Sequence, residues 1–233
     1  MSVTVLPALS KKLAETELFT DVPSQGLAEA LASARIRHLD KSATIFVQGA
    51  LAERCHFLLE GRVRILQTDQ HGTQVVMRFI GPGEMFGTIG MFTDHRYPAH
   101  AVAVSDSMEI SWTEAALLEL IARYPRIALN LVRIIGGRLR ETQDRLREVA
   151  TQPVEQRIAN ALLRLAVQTD DKSMAINFPL SRKDIAEICG TTLHTVSRIL
   201  TAWEKSSAIA TTKQRITIHD LAALRRRAID PPT

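Results

Sequence analysis

The densest row of side chains able to read another molecule by hydrogen bonding lies in Thr192–Lys205, TLHTVSRILTAWEK. His194, Thr195, Ser197 and Arg198 offer donors and acceptors in close succession. The row ends in a guanidinium, whose planar fork matches the two acceptors that guanine presents in the major groove. Something must hold that row in a fixed geometry. Leu193, Val196, Ile199, Leu200 and Trp203 recur at three- and four-residue steps, which predicts one buried face of a helix. Thr192, just ahead of them, is placed to cap it by accepting from a free amide.

The neighbouring segments supply a platform. Pro179–Asp184 reads as a helix start, with Ser181 and Asp184 at capping-box spacing and Asp standing in for Glu. The helix Arg182–Ile188 stops at Cys189-Gly190, and Gly190 suits the turn before the next helix. Ala186 lets the two helices approach closely, and Val196 and Ile199 fill the space between them. Two helices joined by a short glycine-bearing turn form a helix-turn-helix. Downstream, Ile209–Thr211 and Arg215–Ile218 predict a hairpin around Lys213-Gln214, and Asp220 caps a last helix, Leu221–Arg227. Together these describe a winged helix-turn-helix. Charge supports the assignment: residues 1–150 carry 17 basic and 17 acidic side chains, residues 151–233 carry 12 and 8, so the net +4 lies in the last third. A basic excess confined to one segment is what a polyanion-binding domain on a neutral partner domain shows.

Upstream, residues 8–33 read as helical, with a turn at Asp21–Ser24. From about Arg35 to Ser111 short apolar runs alternate with glycine-bearing turns: Thr44–Gln48, Phe57–Leu66, Gln74–Ile80, Ala99–Val104 and Met108–Trp112. Asp69–Gly72 is a hairpin turn, and the spacing predicts an antiparallel jelly roll. Helical period returns with Leu117, Leu118 and Ile121. A longer helix then spans about Pro125–Val149, with Gly136-Gly137 inside it. Leu131, Ile135, Leu139, Thr142, Leu146 and Val149 follow coiled-coil steps, with Arg133, Arg138, Arg140, Arg145 and Arg147 on the flanks, which predicts a dimer seam. Thr151-Gln152-Pro153 is a break, followed by a helix Val154–Gln168, a polar turn Thr169–Ser173 and a strand Met174–Phe178. The fold class is α+β, with a jelly-roll sensor domain over 1–124, a dimerisation helix over 125–150 and a DNA-binding domain over 151–233.

Composition bounds the alternatives. At 233 residues, 45% apolar and 23% charged, usage is that of a globular protein. Its apolar runs fall short of the roughly 18 residues of a membrane span. The start, MSVTVLPALSKKL, lacks a secretory layout, which implies a cytoplasmic protein without membrane contact. Cys55 and Cys189 are read as small buried apolar residues with no metal-ligand spacing. The rival class, a cupin-like metal enzyme, needs several histidines and a carboxylate converging. Only His95 and His100 come close, with no His-x-His pair. No metal site and no catalytic residue are expected.

This arrangement resembles the CRP/FNR superfamily of bacterial transcription regulators over about residues 15–228. GPGEMFGTIGMF (Gly81–Phe92) looks like the family's pocket segment, and SRKDIAEICGTTLHTVSRIL (Ser181–Leu200) like its DNA-reading unit. The resemblance implies a homodimer on palindromic DNA with TTG-like half-sites, and RNA polymerase as a partner if the protein activates. It implies that Arg198 reads a guanine, that Ser197 contacts a neighbouring base, and that Arg182, Thr192 and Thr195 hold phosphates. Lys213, at the tip of the wing, completes the set. His194 tunes the next positions, where many relatives carry glutamate instead.

The effector pocket implied by the resemblance comprises Gly83, Glu84, Phe86, Gly87, Thr88, Ile89, Ala99, His100 and Ala101. The cyclic-nucleotide-binding members place glutamate after the glycine equivalent to Gly87 and an arginine about ten residues on. Here those positions hold Thr88 and Pro98, Glu84 lies on the wrong side of Gly87, and Arg96 is out of register. The effector is therefore expected not to be a cyclic nucleotide, since a buried phosphate without its arginine is costly. An iron–sulfur cluster is ruled out because no cysteine precedes Cys55. TIGMFTDHRYPAHAVAV resembles the nitric-oxide-responsive branch, some of whose members bind haem. That alternative names His100 as axial ligand, with His56 a weaker candidate, and the small Ala99, Ala101 and Ala103 on one face leaving room.

Overall fold

Short strands separated by tight turns shape the first half of the chain in the computed structural model, which describes residues 5–169 and 173–229. Helices α1 (Val5–Ala14) and α2 (Ser24–Ala32) come first, joined by a 3₁₀ turn at Glu17–Phe19. Eight strands follow: β1 (Arg35–Leu39), β2 (Thr44–Phe46), β3 (Arg54–Glu60), β4 (Val63–Thr68), β5 (Gln74–Ile80), β6 (Met85–Phe86), β7 (His100–Ala103) and β8 (Ser107–Thr113). They form two four-stranded sheets, ordered β1-β8-β3-β6 and β2-β7-β4-β5, and every registered pairing is antiparallel. The expected jelly roll is present. The single run Phe57–Leu66 is two strands, β3 and β4, because Gly61 takes a left-handed turn between them (φ 90°).

Between β6 and β7 lies the four-residue helix α3 (Thr88–Met91), then α4 (Glu114–Arg123) follows β8. Thr113 caps α4 by accepting from the Ala116 amide. The core between α1, α2, α4 and the β3/β8 face is apolar and aromatic, with Phe57 packed edge-on and Phe19 tilted against Trp112, whose Nε1–H donates to the Ala30 carbonyl at 2.7 Å. Free Cys55 and Cys189 are both buried, and burial pushes each thiol up to about 12, which makes them packing residues.

The long helix α5 (Arg126–Thr151) runs unbroken through Gly136-Gly137. Its first turns belong to the jelly-roll core: Ile127 and Leu131 are buried there. Leu131 is thus corrected, since it packs on its own domain at 7% exposure and is not part of an outward seam. Val132 takes its place, at 67% exposure. Val132, Ile135, Leu139, Thr142, Leu146 and Val149 form an exposed stripe on steps of three and four. The described residues divide into two compact units, and the boundary falls inside α5, between Glu141 and Thr142.

In the second unit α6 (Val154–Leu165) starts behind Pro153 and ends three residues before the expected Gln168. Ala166 turns extended, and Val167–Gln168 becomes strand β9, which pairs with β10 (Met174–Ile176). Of the expected turn Thr169–Ser173, residues 170–172 lie outside the described set. Helices α7 (Arg182–Cys189) and α8 (Leu193–Lys205), strands β11 (Ile209–Thr212) and β12 (Arg215–Ile218) and helix α9 (Leu221–Ile229) complete it, with a sheet ordered β11-β12-β10-β9. Among the described residues no helix is long and apolar enough to cross a membrane.

Candidate nucleic-acid interface and ligand pocket

Local chemistry sets the geometry of α7 and α8. Ser181 and Asp184 form a complete capping box: the Ser181 hydroxyl accepts from the Asp184 amide, and Asp184 accepts from the Ser181 amide at 2.9 Å. At the other end Gly190 adopts a left-handed conformation (φ 59°), and the Thr191 amide returns to the Ala186 carbonyl at 3.0 Å. The three-residue turn Gly190–Thr192 then delivers Thr192 as the cap of α8, its hydroxyl accepting from the Thr195 amide at 3.1 Å. Val196, Ile199, Leu200 and Trp203 are buried on one face of α8, and Ala186 and Ile185 are buried on α7.

That burial leaves the opposite face of α8 outward. His194, Arg198 and Thr201 are exposed and Ser197 is half-buried, at i, i+3, i+4 and i+7 along one ridge. Arg198, His194 and Ser197 are thus brought together as expected. Thr195 and Thr192 sit at the helix start with their hydroxyls 2.9 Å apart, so both serve the cap. Arg182 is half-buried and folded onto α8, donating to Glu204 at 3.2 Å and to the Ser197 carbonyl at 3.4 Å. Sequence reasoning missed that pairing. Lys213 is exposed at the tip of the β11–β12 hairpin, where Lys213 and Gln214 both have positive φ (48° and 63°), the signature of a type I′ turn.

A second feature of this unit went unread in the sequence. Arg157, on α6, donates to the Val149 carbonyl at the end of α5 (3.1 Å), while the Cys189 thiol at the end of α7 points to the Arg157 carbonyl (3.7 Å). Arg164 donates to Glu148 of α5 at 2.6 Å, and Arg145 to the Ile188 carbonyl at 3.2 Å. The last turns of α5 are thereby tied to the helix-turn-helix.

In the first unit the expected pocket residues separate. Phe86 and Ala101 share one core cluster with Phe46, Tyr97 and Ile80, and Thr88 and Ala99 are buried nearby in sequence. Gly87 is left-handed (φ 73°), and an added Cβ would meet Phe46, His56 and Tyr97 at 3.1–3.2 Å, so only glycine fits. Ile89 departs from expectation at 63% exposure, because Thr88 and Met91 take the inward positions of so short a helix. Gly83 and Glu84 line a different cavity, of about 940 Å³. Pro98 is exposed, its carbonyl accepting from Gln67 at 3.0 Å, and Arg96 donates to the Gly49 carbonyl at 2.7 Å.

The two histidines proposed for haem differ in setting. His56 is buried, with Nδ1 3.1 Å from Glu109 and Nε2 3.2 Å from the Tyr97 hydroxyl. His100 is half-buried, and its Nδ1 accepts from the Gln48 amide at 3.4 Å. Glu109 is wholly buried and also receives Arg37 Nε–H at 2.7 Å. The resulting chain Arg37–Glu109–His56–Tyr97 was not anticipated. Its one sequence signal is an acid within the otherwise uncharged strand SMEISWT. Among the described residues no group of three or more histidine, cysteine or acidic side chains is arranged to hold a metal ion.

Comparison with known proteins agrees with this geometry. Residues 36–124 match the cyclic nucleotide-binding domain family, and residues 156–227 match the Crp-like helix-turn-helix domain family. The chain is 28% identical over 207 residues to the cyclic AMP receptor protein of Thermus thermophilus, covering 89% of this chain and 94% of that protein. It is 25% identical over 219 residues to a CRP-like cAMP-activated global transcriptional regulator of Mycobacterium tuberculosis, covering 93% and 98%. The solved structure of FixK2 from Bradyrhizobium japonicum superposes with a TM-score of 0.74 at 23% identity, covering 84% of this chain and 98% of that one, a likeness of fold.

Proposed function

Since the chain belongs to the CRP/FNR superfamily of DNA-binding transcription regulators, we propose that it works as a homodimer reading a palindromic site, under control of an effector that is not a cyclic nucleotide. The observation that carries the reading is the exposed ridge His194–Ser197–Arg198–Thr201 on a helix fixed at both ends. Arg198 is the base-reading residue, directed at guanine in a TTG-like half-site, and Ser197 and His194 address the flanking pairs. Thr192, Thr195, Arg182 and Lys213 set register on the phosphates. For Arg182 that role requires leaving Glu204.

The exposed stripe from Val132 to Val149 supports dimerisation, because a second copy of the same helix would bury it with coiled-coil spacing. Two-fold symmetry then places the half-sites about one helical turn apart. Arg145, Arg157 and Glu148–Arg164 supply the route by which movement of α5 reaches α7 and α8. If the bound protein activates transcription, RNA polymerase is the further partner.

Several named relatives are cAMP-activated. Against the same ligand here stand Thr88 and Pro98, which offer no carboxylate for a ribose and no guanidinium for a phosphate. Haem is the weaker alternative on the settings of the two imidazoles. Both nitrogens of His56 are engaged, and His100 Nδ1 faces the Gln48 amide at 3.4 Å. The test is affinity for a TTG-containing palindrome against a scrambled duplex of equal length at physiological salt.

A further inference from the structure

His194 differs from the other polar side chains at the start of α8. The hydroxyls of Thr192 and Thr195 lie 2.9 Å apart, and Thr192 accepts the Thr195 amide at 3.1 Å, so both serve the cap. His194, between them in the chain, is exposed and makes no hydrogen bond or ion pair among the described residues. Residues at the N-terminal end of a recognition helix are the ones that reach base edges. In the first turn of α8 that leaves one polar reader, an imidazole, with Ser197 and Arg198 following at i+3 and i+4 on the same ridge.

What an imidazole reads depends on its proton. Neutral, it carries one donor and one acceptor; charged, it carries two donors and no acceptor. In the major groove guanine presents two acceptors, N7 and O6, and cytosine presents a donor, its N4 amino group. An imidazolium therefore matches guanine and opposes cytosine, whereas the neutral ring serves either base. An ordinary histidine passes between these states between about pH 5 and 8. No other side chain on the ridge changes charge there, since Ser197 and Thr201 stay neutral and Arg198 stays a cation.

The surrounding elements supply no competing partner for that proton. On α7, Asp184 closes the capping box and Glu187 pairs with Lys183 at 3.5 Å. On α8, Glu204 holds Arg182. On α6, Glu155 receives Trp203 Nε1–H at 2.8 Å, and strands β11 and β12 carry no acid. The cations on this side are Arg198, one turn along α8, and Arg157 of α6, which donates to the Gly190 carbonyl at 3.5 Å.

We infer that His194 is a specificity-determining residue whose choice of base is set by its protonation: guanine alone when charged, guanine or cytosine when neutral. The assignment rests on α8 being the DNA-reading helix, as proposed above. Binding and protonation are then coupled reciprocally. A duplex that favours the imidazolium is held more tightly as pH falls, and one that needs the neutral ring is held less tightly.

The test is equilibrium binding of the full chain at about pH 7.5 and about pH 5.5, at one salt concentration, to palindromes carrying G·C or C·G at each pair bordering the TTG triplet. At one of these pairs, one orientation should gain about fivefold or more in affinity on acidification, and the reverse orientation should lose as much. This window lies above the range in which Glu109 titrates, so acid unfolding of the first unit does not enter it. His194→Gln keeps a donor and an acceptor but does not titrate. It should still prefer the palindrome to a scrambled duplex, with the same pH response for both orientations. His219→Gln, which removes the other histidine of the second unit, should behave as the wild type does. An orientation-dependent response that survives in His194→Gln overturns the assignment. So does a wild-type response that is equal for both orientations at every bordering pair; if the scrambled duplex shares it, the contact is to phosphate alone. If the wild-type chain prefers no palindrome to the scrambled duplex at either pH, it is the DNA reading that has failed, and the assignment falls with it.

Discussion

Arg164 Nη1 lies 2.6 Å from Glu148 Oε1, joining α6 to the last turns of α5 through a pair in which Glu148 is only 11% exposed. Breaking such a pair from one side strands a largely buried charge. Arg164→Ala should therefore destabilise the second unit by about 2 kcal/mol, read from urea unfolding. The double variant Glu148→Gln/Arg164→Gln should recover part of that loss. A double variant no more stable than Arg164→Ala would show that the pair is incidental.

Glu204 holds Arg182 against α8 at 3.2 Å, so any phosphate contact by Arg182 begins with loss of that bond. Glu204→Gln removes the competitor and one negative charge from the DNA-facing unit. Affinity should rise several-fold on palindromic and scrambled duplexes alike, because phosphate contacts carry no sequence information. A gain restricted to the palindrome would contradict this.

Burial raises the pKa of Glu109, but the bonds from His56 and Arg37 outweigh it and hold the carboxyl below its ordinary value of 4.5. A carboxyl depressed by folding contributes stability that is present above the unfolded value and lost as pH falls through the folded one. The first unit should therefore lose stability as pH drops below about 4.5, and Glu109→Gln should flatten that slope while lowering stability at neutral pH. Unfolding followed across pH 2–7 by circular dichroism decides it; an unchanged slope would contradict the assignment.

Leu139 and Leu131 stand on the same helix with opposite surroundings, 57% and 7% exposed. Leu139→Glu should convert the dimer to a folded monomer in sedimentation. Leu131→Glu should instead unfold the jelly roll, since burying a lone carboxylate costs several kcal/mol. A Leu139→Glu protein that stays dimeric would place the dimer interface elsewhere.

Much of this was legible in the sequence, and the gaps have physical causes. Ser181, Asp184, Thr192 and Asp220 announced their helix starts because capping is a local interaction between residues three apart. Heptad spacing announced the stripe on α5 but not which apolar residues its own domain would cover, so Leu131 was misplaced and Val132 overlooked. Strand β1, RIRHL, was not read because its charged residues break the apolar alternation, and Arg37 finds its counter-charge 72 positions away in Glu109. Pairings of that kind have no signature in spacing. The pocket segment illustrates the same limit: Gly83 and Ile89 are six residues apart, yet one lines a cavity and the other faces water.

The central claim is that Arg198 reads a base. Affinities of the wild-type chain and Arg198→Ala for a palindrome with TTG half-sites, and for a scrambled duplex, test it at one fixed physiological salt concentration. Wild type should prefer the palindrome by on the order of 10³-fold. Arg198→Ala should lose about 1–3 kcal/mol on the palindrome and much of its discrimination at the guanine, with little change on the scrambled duplex. Equal affinity of the wild-type chain for the two duplexes, or an Arg198→Ala protein that still discriminates as well, would contradict the account.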